Sequence, residues 1–268
     1  MAIGSELCSY GRSPVRQAVG MFFGTSDFHT HIRVRGLIQH LPPLLPTRSV
    51  TVIECGCGVG ANIFELSKAK KNIVAEGYDL SEESIEYANS VKREFFPDCA
   101  IAFYCADVTE LDTARSRYDC VLLMDVLEHI PDDTALAAWV MGASKEGGLV
   151  CVSVPTSRYR RVFGEDFHRE VGHVREGYSA SHLAALFPHL ELVGLWYNTG
   201  IVSQIGCWLY YRYLRHVKVP VIEGLMALAC QLLFAWADFP NGPKYSCSIF
   251  AIFRKPINST SSSETPRG

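Results

Sequence analysis

An acidic residue followed directly by a glycine-rich turn is the feature of this sequence best suited to binding a ligand. The segment Val52–Gly60 has the sequence VIECGCGVG, so an apolar run ends at Glu54 and passes into Gly56, Gly58 and Gly60. Glycine allows the backbone to turn tightly and lets a ligand approach where a Cβ would block it. The helix that such a turn opens offers unpaired N–H donors. The pattern predicts a ligand site at the carboxyl end of a strand.

Charge and spacing around this turn favour a ribose-containing ligand with an ammonium group over a dinucleotide. Gly60 comes one residue too early for the GxGxxG pattern of dinucleotide sites. A carboxylate at Glu54 would repel a pyrophosphate but can hold an ammonium group, directly or through water. Asp79 ends the next apolar run, 19 residues beyond Gly60, where it can accept both ribose hydroxyls. The alternative is that both acids cap helices, but both stand at strand ends, where open α/β sheets bind ligands.

The elements that must position these acids alternate along the chain between short apolar runs and helical patterns. This alternation predicts an α/β fold with a doubly wound, seven-stranded, mostly parallel sheet covered by helices on both faces. Right-handed crossovers leave few topologies for such a sheet. The predicted strands are 49–55, 72–78, 101–105, 118–124, 148–154, 191–197 and 246–253. The predicted helices are 27–41, 62–70, 81–95, 133–144 and 179–186.

The remaining segments predict a cover, an insertion and a tail around this core. Residues 1–45 are expected to form an N-terminal helical arm and cover, and the core comprises 46–200 and 245–256. Residues 201–244 predict a hydrophobic helical lid inserted before the last strand. The low-complexity residues 257–268 predict a disordered tail.

The composition is that of a globular protein and argues against several classes of function. Hydrophobic residues make up 48% of the 268 residues, and the formal net charge is −3 with no basic face, so no nucleic-acid partner is expected. The 10 cysteines form no CxxC pair, which argues against a zinc site and for reduced thiols in the cytoplasm. The apolar run 219–239 is interrupted by Glu223, Gln231 and Asp238, so it does not predict a membrane span.

Five segments resemble, in order, the motifs of the class I S-adenosylmethionine-dependent methyltransferases, particularly the ubiquinone-biosynthesis-type group acting on small molecules. The resemblance covers about residues 50–186, half of the chain. It implies a Rossmann-like methyltransferase fold and S-adenosyl-L-methionine as the cofactor. The five segments are VIECGCGVG, GYDLSEESIEYA, CADVTEL, YDCVLLMDVLEHIPDD and EGGLVCVSVP.

The resemblance also implies which residues bind each part of the cofactor. Glu54 would organise the methionine moiety, and Asp79 would hold the ribose. Leu80 would flank the adenine, Asp107 would face its amino group, and Val108 would supply a backbone N–H. The fourth motif would lie close to the reacting end. The full set of expected cofactor-binding residues is Glu54, Gly56, Cys57, Gly58, Gly60, Asp79, Leu80, Asp107, Val108, Met124 and Asp125.

Three histidines are candidates for a general base, which methyl transfer needs only when the acceptor must lose a proton. His129 follows the fourth predicted strand at the mouth of the site, and the alternative is that it packs against the cofactor or caps a turn. His168 and His173 lie in a predicted loop between the fifth strand and the next helix. That loop resembles the family's H-x-R-x-Y region over the acceptor pocket, with His173, Arg175 and, displaced by one residue, Tyr178. The alternative is that its polar residues anchor the loop.

A divalent ion near the same strand end is a further alternative. Some relatives with a similar ExxEH pattern bind one, and the corresponding residues here are Asp125, Glu128 and His129. Because an aspartate replaces the first glutamate of that pattern, the expectation is that no metal binds.

The aromatic and aliphatic lid predicts a small hydrophobic acceptor, such as an isoprenoid, a polyketide or a lipid-like aromatic. A homodimer interface and a membrane-surface patch are the competing uses of the same surface. The predicted function is methyl transfer to oxygen, nitrogen or carbon. The main alternative is a cyclase or isomerase that retains the fold without net methylation; weaker ones are a nicotinamide-dependent oxidoreductase and a non-catalytic cofactor-binding subunit.

Overall fold

The computed structural model of the chain describes residues 28–111, 116–212, 233–234 and 236–257. The arm that precedes residue 28 lies outside these residues. So do residues 213–232 of the predicted lid and residues 258–268 of the predicted tail.

Within the described residues, seven strands form one sheet. The strands are β1 (Val50–Cys55), β2 (Ile73–Asp79), β3 (Ala100–Cys105), β4 (Tyr118–Met124), β5 (Ser144–Pro155), β6 (Glu191–Asn198) and β7 (Ser248–Arg254). Their order across the sheet is β3-β2-β1-β4-β5-β7-β6. β7 runs antiparallel to both neighbours, and the other pairs are parallel. The prediction of a mostly parallel, seven-stranded sheet is confirmed.

Helices connect the strands and cover both faces of the sheet. The described helices are α1 (Phe28–His40), α2 (Ala61–Ala69), α3 (Glu82–Phe95), α4 (Asp133–Ala143), α5 (Ser157–Phe163), α6 (Glu165–Glu170), α7 (Ala180–Leu186) and α8 (Ile201–Arg212). One core cluster includes Leu37, Phe64 and Ile85 from α1, α2 and α3. The second includes Leu136 and Leu183 from α4 and α7, so apolar layers lie on both sides, as a doubly wound fold requires.

Local sequence explains where several of these helices begin. The side chains of Ser81, Asp132 and Ser179 accept hydrogen bonds from backbone N–H groups three residues later, at 3.2, 3.0 and 3.1 Å. Each side chain satisfies one of the donors that a helix start leaves unpaired. Because β4 is buried along its whole length, it is apolar apart from Asp119.

Two predictions of local structure were wrong. The predicted loop after β5 contains α5 and α6, of 7 and 6 residues. Such helices are shorter than the window of about 11–18 residues in which a helical period can be recognised. Strand β5 begins at Ser144 rather than at residue 148, because the charged and glycine-rich residues at its start resemble a turn although they belong to the ladder.

Candidate cofactor site and histidine cluster

The glycine turn after β1 has a backbone that side-chain-bearing residues rarely adopt. Gly56, Gly58 and Gly60 have φ values of 69°, 50° and 79°, in the left-handed region. A Cβ on Gly56 would lie 2.6 Å from Val126, and one on Gly60 would lie 2.5 Å from the ring of Phe103. A Cβ on Gly58 would meet no atom of the protein within 4 Å. Two glycines are therefore required by packing, whereas Gly58 borders space that a ligand can use.

Asp79 at the end of β2 is bonded to this turn. Its Oδ2 accepts the Gly58 N–H at 2.7 Å, and its Oδ1 accepts the Ser81 N–H at 2.9 Å. The buried Cys57 donates its backbone N–H to the carbonyl oxygen of Tyr78 at 2.9 Å. A carboxylate oxygen can accept more than one hydrogen bond, so Asp79 keeps acceptor capacity for two hydroxyl groups. The acid and the glycine turn lie together, in the arrangement that the motif implied.

Glu54 is a fully buried carboxyl group at the base of the same turn. Its Oε1 accepts a hydrogen bond from Nδ2 of Asn62 at 2.5 Å, and its Oε2 has no partner among the described residues. Burial raises the pKa of Glu54 from 4.5 to about 8, although Asn62 and the charge of Arg33 favour the carboxylate. A buried acceptor without a donor is costly, and a ligand ammonium group would supply the donor. The residues present therefore fit the methionine end of S-adenosylmethionine.

The predicted adenine-binding residues lie along the end of β3 and the loop after β2. Oδ1 of Asp107 accepts hydrogen bonds from the backbone N–H and hydroxyl of Thr109, at 2.8 and 2.7 Å, and so caps the 3-10 turn Val108–Glu110. Val108 begins that turn and its side chain is buried. Leu80 is 72% exposed directly beside Asp79, which leaves its apolar surface available to a planar base.

Asp125 follows β4 in a strained conformation with a φ of 56°. Its Oδ2 accepts a hydrogen bond from Nη1 of Arg33 on α1 at 2.9 Å, and its Oδ1 accepts one from the hydroxyl of Ser153 at 2.6 Å. The preceding Met124 is buried in the core. Asp125 therefore joins the N-terminal helix to the strand ends. Nothing in the sequence around Arg33 or Ser153 predicts these contacts, because each partner is distant along the chain.

The three candidate histidines lie in one cluster. The rings of His129 and His168 each approach the ring of His173 with centroids 4.9 Å apart. His129 lies on the 3-10 turn Leu127–His129 and is exposed, whereas His168 on α6 is buried. Because the partner of His129 Nδ1 is the carbonyl oxygen of Gly172, at 3.2 Å, that nitrogen must carry the proton. The lone pair is then on Nε2.

Glu128 precedes His129 on the same 3-10 turn and is 1% exposed. One ligand atom each from Glu128, His129 and His173 lie within 4.8 Å of one another. Burial and the nearby Asp125 raise the pKa of Glu128. The sequence pattern places Asp125 with Glu128 and His129 as possible metal ligands, but the structure groups Glu128 and His129 with His173.

Hydrogen bonds attach the segment carrying His173 to the segment carrying His129. The Val174 N–H donates to the carbonyl oxygen of Glu128 at 2.9 Å. Arg175 pairs with Asp133 and donates to the carbonyl oxygens of residues 130 and 131. The Tyr178 hydroxyl donates to Oδ2 of Asp133 at 2.8 Å. Within the H-x-R-x-Y segment, arginine and tyrosine therefore act as anchors, and the histidine is the residue they position.

Two other surfaces contain none of the predicted site residues. A cavity of about 500 Å³ between α1, β6 and residues 238–242 is lined by Gly36, Trp196 and Asn241, among others, but by none of the predicted site residues. In the described part of the predicted lid, Leu233, Trp236 and Phe239 are 66%, 80% and 60% exposed. No helix of the described residues is long and apolar enough to cross a bilayer.

Fold and site together define a doubly wound α/β protein with a glycine turn flanked by two acids at the carboxyl edge of the sheet, the edge at which open α/β sheets bind ligands. A family model described as a methyltransferase domain matches residues 29–200, more than half of the chain. The chain therefore belongs to the methyltransferase domain family, within the class I S-adenosylmethionine-dependent methyltransferases.

Individual relatives carry out different chemistry. The ubiquinone biosynthesis O-methyltransferase of Coxiella burnetii is 24% identical over 123 residues, which are 46% of this chain and 51% of that protein. The chain thus spans about half the length of the curated relatives it matches. Two solved structures share the fold at a TM-score of 0.57. The 4+2 cyclase SpnF is 18% identical, with 84% of this chain and 81% of that chain covered. The geranyl diphosphate C-methyltransferase of Streptomyces coelicolor A3(2), solved with Mg²⁺, geranyl diphosphate and S-adenosyl-L-homocysteine, is 13% identical, with 83% and 78% covered.

Proposed function

We propose that the chain binds S-adenosyl-L-methionine on the glycine turn and transfers its methyl group to an oxygen, nitrogen or carbon nucleophile of a small, largely hydrophobic acceptor. The observation that carries the proposal is that two carboxyl groups, those of Glu54 and Asp79, flank the glycine turn. Glu54 is buried with an unpartnered oxygen among the described residues, and Asp79 borders Gly58, where a Cβ would meet no protein atom. A ligand with an ammonium group and a ribose matches both.

The residues of the chain act mainly by positioning. When bound, S-adenosylmethionine supplies a methyl group already activated by its sulfonium. Glu54 accepts a hydrogen bond from the ammonium group, and Asp79 accepts the ribose hydroxyls. Alignment of a nucleophile with the methyl group then lowers the barrier by converting an encounter of two molecules into a step within one complex, an effect worth up to about 7–11 kcal/mol in well-oriented systems.

His129 is the proposed general base for an acceptor that must lose a proton. Its Nδ1 donates to the carbonyl oxygen of Gly172, which leaves the Nε2 lone pair to accept a proton. His173 and His168 form the next two members of the histidine cluster and are the alternative bases. Replacing His129 with glutamine should lower turnover while leaving cofactor affinity unchanged. Full turnover in this variant would reduce His129 to a packing residue.

The proposed acceptor is apolar because the described lid residues are apolar and exposed. Leu233, Trp236 and Phe239 would cover a hydrophobic molecule. The same surface suits a homodimer interface or a membrane surface, so the relevant measurement is acceptor KM in the Trp236→Ala variant. A raised KM with unchanged sedimentation and unchanged vesicle binding supports the lid. An unchanged KM with loss of a dimer or of vesicle binding overturns it.

Calorimetry and mass spectrometry test the two halves of the proposal. S-adenosylmethionine and its demethylated product should bind the wild-type chain, NAD should not, and Glu54→Gln should weaken binding of both ligands. Glu94→Gln, at an exposed glutamate of α3, is the matched control. A panel of apolar hydroxyl, amine and carbon acceptors should yield a product heavier by one CH₂ unit. Binding of NAD alone would contradict the cofactor assignment.

A cyclase or isomerase is the second candidate, favoured by the likeness to the 4+2 cyclase SpnF. Such an enzyme would convert an acceptor into a product of the same mass and would not consume S-adenosylmethionine. A same-mass product with no methylated product from any member of the panel would replace methyl transfer with this function.

A further inference from the structure

We propose that Arg158 binds an anionic oxygen group of the acceptor, a carboxylate or a phosphate, so that the acceptor is an amphipathic molecule with one charged end. The inference rests on the proposed function, because it names the substrate class of the same site. It is carried by the place of Arg158 on α5, directly after β5 at the carboxyl edge of the sheet, and by the state of its guanidinium group.

Arg158 is a partly buried cation without an ion pair in the part of the chain that the structure describes. Its Nε donates a 3.3 Å hydrogen bond to Oε1 of Gln204, whereas Nη1 and Nη2 have no partner among the same residues. By contrast, Arg160 on the same helix pairs with Glu165 and Glu176. A guanidinium matches a carboxylate or a phosphate with two parallel hydrogen bonds. The edge of Arg158 that carries both Nη atoms is therefore available to an anion.

Asp238 is the carboxylate that could have neutralised this charge, but other donors occupy it. Burial raises the pKa of the Cys247 thiol to about 12, and the charges of Arg158 and Asp238 act on that thiol in opposite directions. Asp238 accepts hydrogen bonds from the backbone N–H groups of residues 199 and 200, at 3.1 and 2.6 Å, and from the hydroxyl of Ser203 at 2.6 Å. The two charges share a neighbourhood without forming an ion pair.

Hydrogen bonds fix the arginine at both ends. Gln204 is 5% exposed, and its Nε2 donates to the carbonyl oxygens of Thr199, at 2.7 Å, and of Tyr245. Because the amide nitrogen faces two carbonyl groups, the amide oxygen is the atom presented to Arg158. At the backbone, Oγ1 of Thr156 accepts the Arg158 N–H at 3.2 Å. An arginine already held in place loses less conformational entropy when it binds a ligand.

The surroundings of Arg158 connect the histidine cluster with the lid. Tyr159 follows it in sequence, and the Tyr159 ring lies 5.2 Å from the ring of His173, measured between centroids. On α8, the helix that contacts Arg158, the hydroxyl of Ser203 donates to the carbonyl oxygen of Phe234 at 3.1 Å, in the described part of the predicted lid. An acceptor covered by the lid thus has a cation for one end and a histidine cluster beside it.

Calorimetry with three short amphiphiles tests the proposal, both without and with S-adenosyl-L-homocysteine. Octanoate and octyl phosphate have an anionic head group, whereas that of octanamide is neutral. The wild type should bind at least one anion about tenfold more tightly than octanamide, the size of effect expected for hydrogen bonds to a charged group. Arg158→Gln should abolish this preference, and Arg158→Lys, which keeps the charge without the planar fork, should retain part of it. Arg161→Gln, at an exposed arginine of α5, is the matched control.

Circular dichroism shows whether each variant is folded, and Arg158→Met replaces Arg158→Gln if the latter is not. The proposal is overturned if the wild type binds neither anion, if it binds all three probes equally, or if a folded Arg158 variant without the charge keeps the full preference. No methyl group is transferred in these titrations. An anion preference without any methylated product would therefore contradict only the proposed function, and methylation of neutral acceptors without an anion preference would contradict only the role of Arg158.

Discussion

The hydroxyl of Tyr178 donates a 2.8 Å hydrogen bond to Oδ2 of Asp133, and both side chains are buried. The bond connects the start of α4 to the segment that precedes α7. Arg175 binds the same carboxylate, so Asp133 holds two residues of the segment that begins at His173. The position of His173 relative to His129 thus depends on the Asp133 carboxylate, which binds two later residues of the same segment.

Replacing Tyr178 with phenylalanine should destabilise the protein by about 1–3 kcal/mol, because a buried carboxylate oxygen loses a donor. Urea denaturation followed by circular dichroism measures the change. Tyr245→Phe, at a tyrosine that is 36% exposed, is the control and should leave stability unchanged. Equal stability of wild type and Tyr178→Phe would contradict an anchoring role.

Replacing the glycines of the turn with alanine should affect stability and cofactor binding differently at Gly58 and at Gly60. Gly58→Ala should cost about 1–2 kcal/mol of stability from its left-handed backbone and should also reduce S-adenosylmethionine binding, because the new methyl group projects toward the ligand. Gly60→Ala should lose more stability, since its Cβ also collides with Phe103. Thermal unfolding and calorimetry measure the two properties.

Gly142→Ala on α4 is the control for both changes, because its Cβ meets no atom within 4 Å and its φ is not left-handed. Stability there should hold or rise slightly. If Gly58→Ala binds the cofactor as tightly as the wild type, the cofactor does not lie against Gly58.

Stability without cofactor should depend on pH through Glu54. Burial raises the pKa of this group from 4.5 to about 8, so the folded protein retains a proton that the unfolded chain releases. The free energy of unfolding should therefore fall as pH rises from about 4.5 to about 8. The difference between wild type and Glu54→Gln, measured by denaturation at several pH values, isolates this group. If the difference in the free energy of unfolding between the two proteins did not change with pH, the pKa of Glu54 would not be raised by folding.

Cofactor binding should show the opposite trend with pH. An ammonium ligand favours the carboxylate of Glu54, so binding releases its proton and affinity should rise up to about pH 8. Calorimetry in buffers of different ionisation enthalpy measures the released proton directly. Glu54→Gln should bind weakly at all pH values and release none from this position.

Asp79→Asn should weaken S-adenosylmethionine binding by about tenfold to a hundredfold, which corresponds to 1–3 kcal/mol for a lost acceptor. The amide can no longer accept from Gly58, from Ser81 and from two ribose hydroxyls at once. Asp98→Asn, at an exposed loop position, is the control. Unchanged affinity in Asp79→Asn would remove the ribose assignment.

The positions of the strands and of several helix starts could be predicted well from the sequence. The contacts between residues distant along the chain could not. β1 and β4 are detectable because burial on both faces makes them apolar runs, and Ser81 and Ser179 mark helix starts by a local bond. Glu54 and Asp79 were found because each stands at the end of such a run.

Contacts across the fold carry no local signal. Arg33 and Asp125 are 92 positions apart in sequence, and the pairing depends on α1 lying over the strand ends. The grouping of His173 with Glu128 depends likewise on α5 and α6, two helices too short to reveal a period. The resemblance to the family identified the H-x-R-x-Y segment. The contacts in the fold then show that Arg175 and Tyr178 anchor this segment and that His173 is the residue they position.

The place of β7 in the sheet has a consequence for synthesis. Among the described residues it is the last strand made, yet it lies between β5 and β6. Until Ser248–Arg254 emerges from the ribosome, the facing backbone edges of β5 and β6 have no partner, and such edges promote aggregation. The sheet therefore closes after translation has passed this strand, and the nascent chain is a natural client for chaperones during that interval.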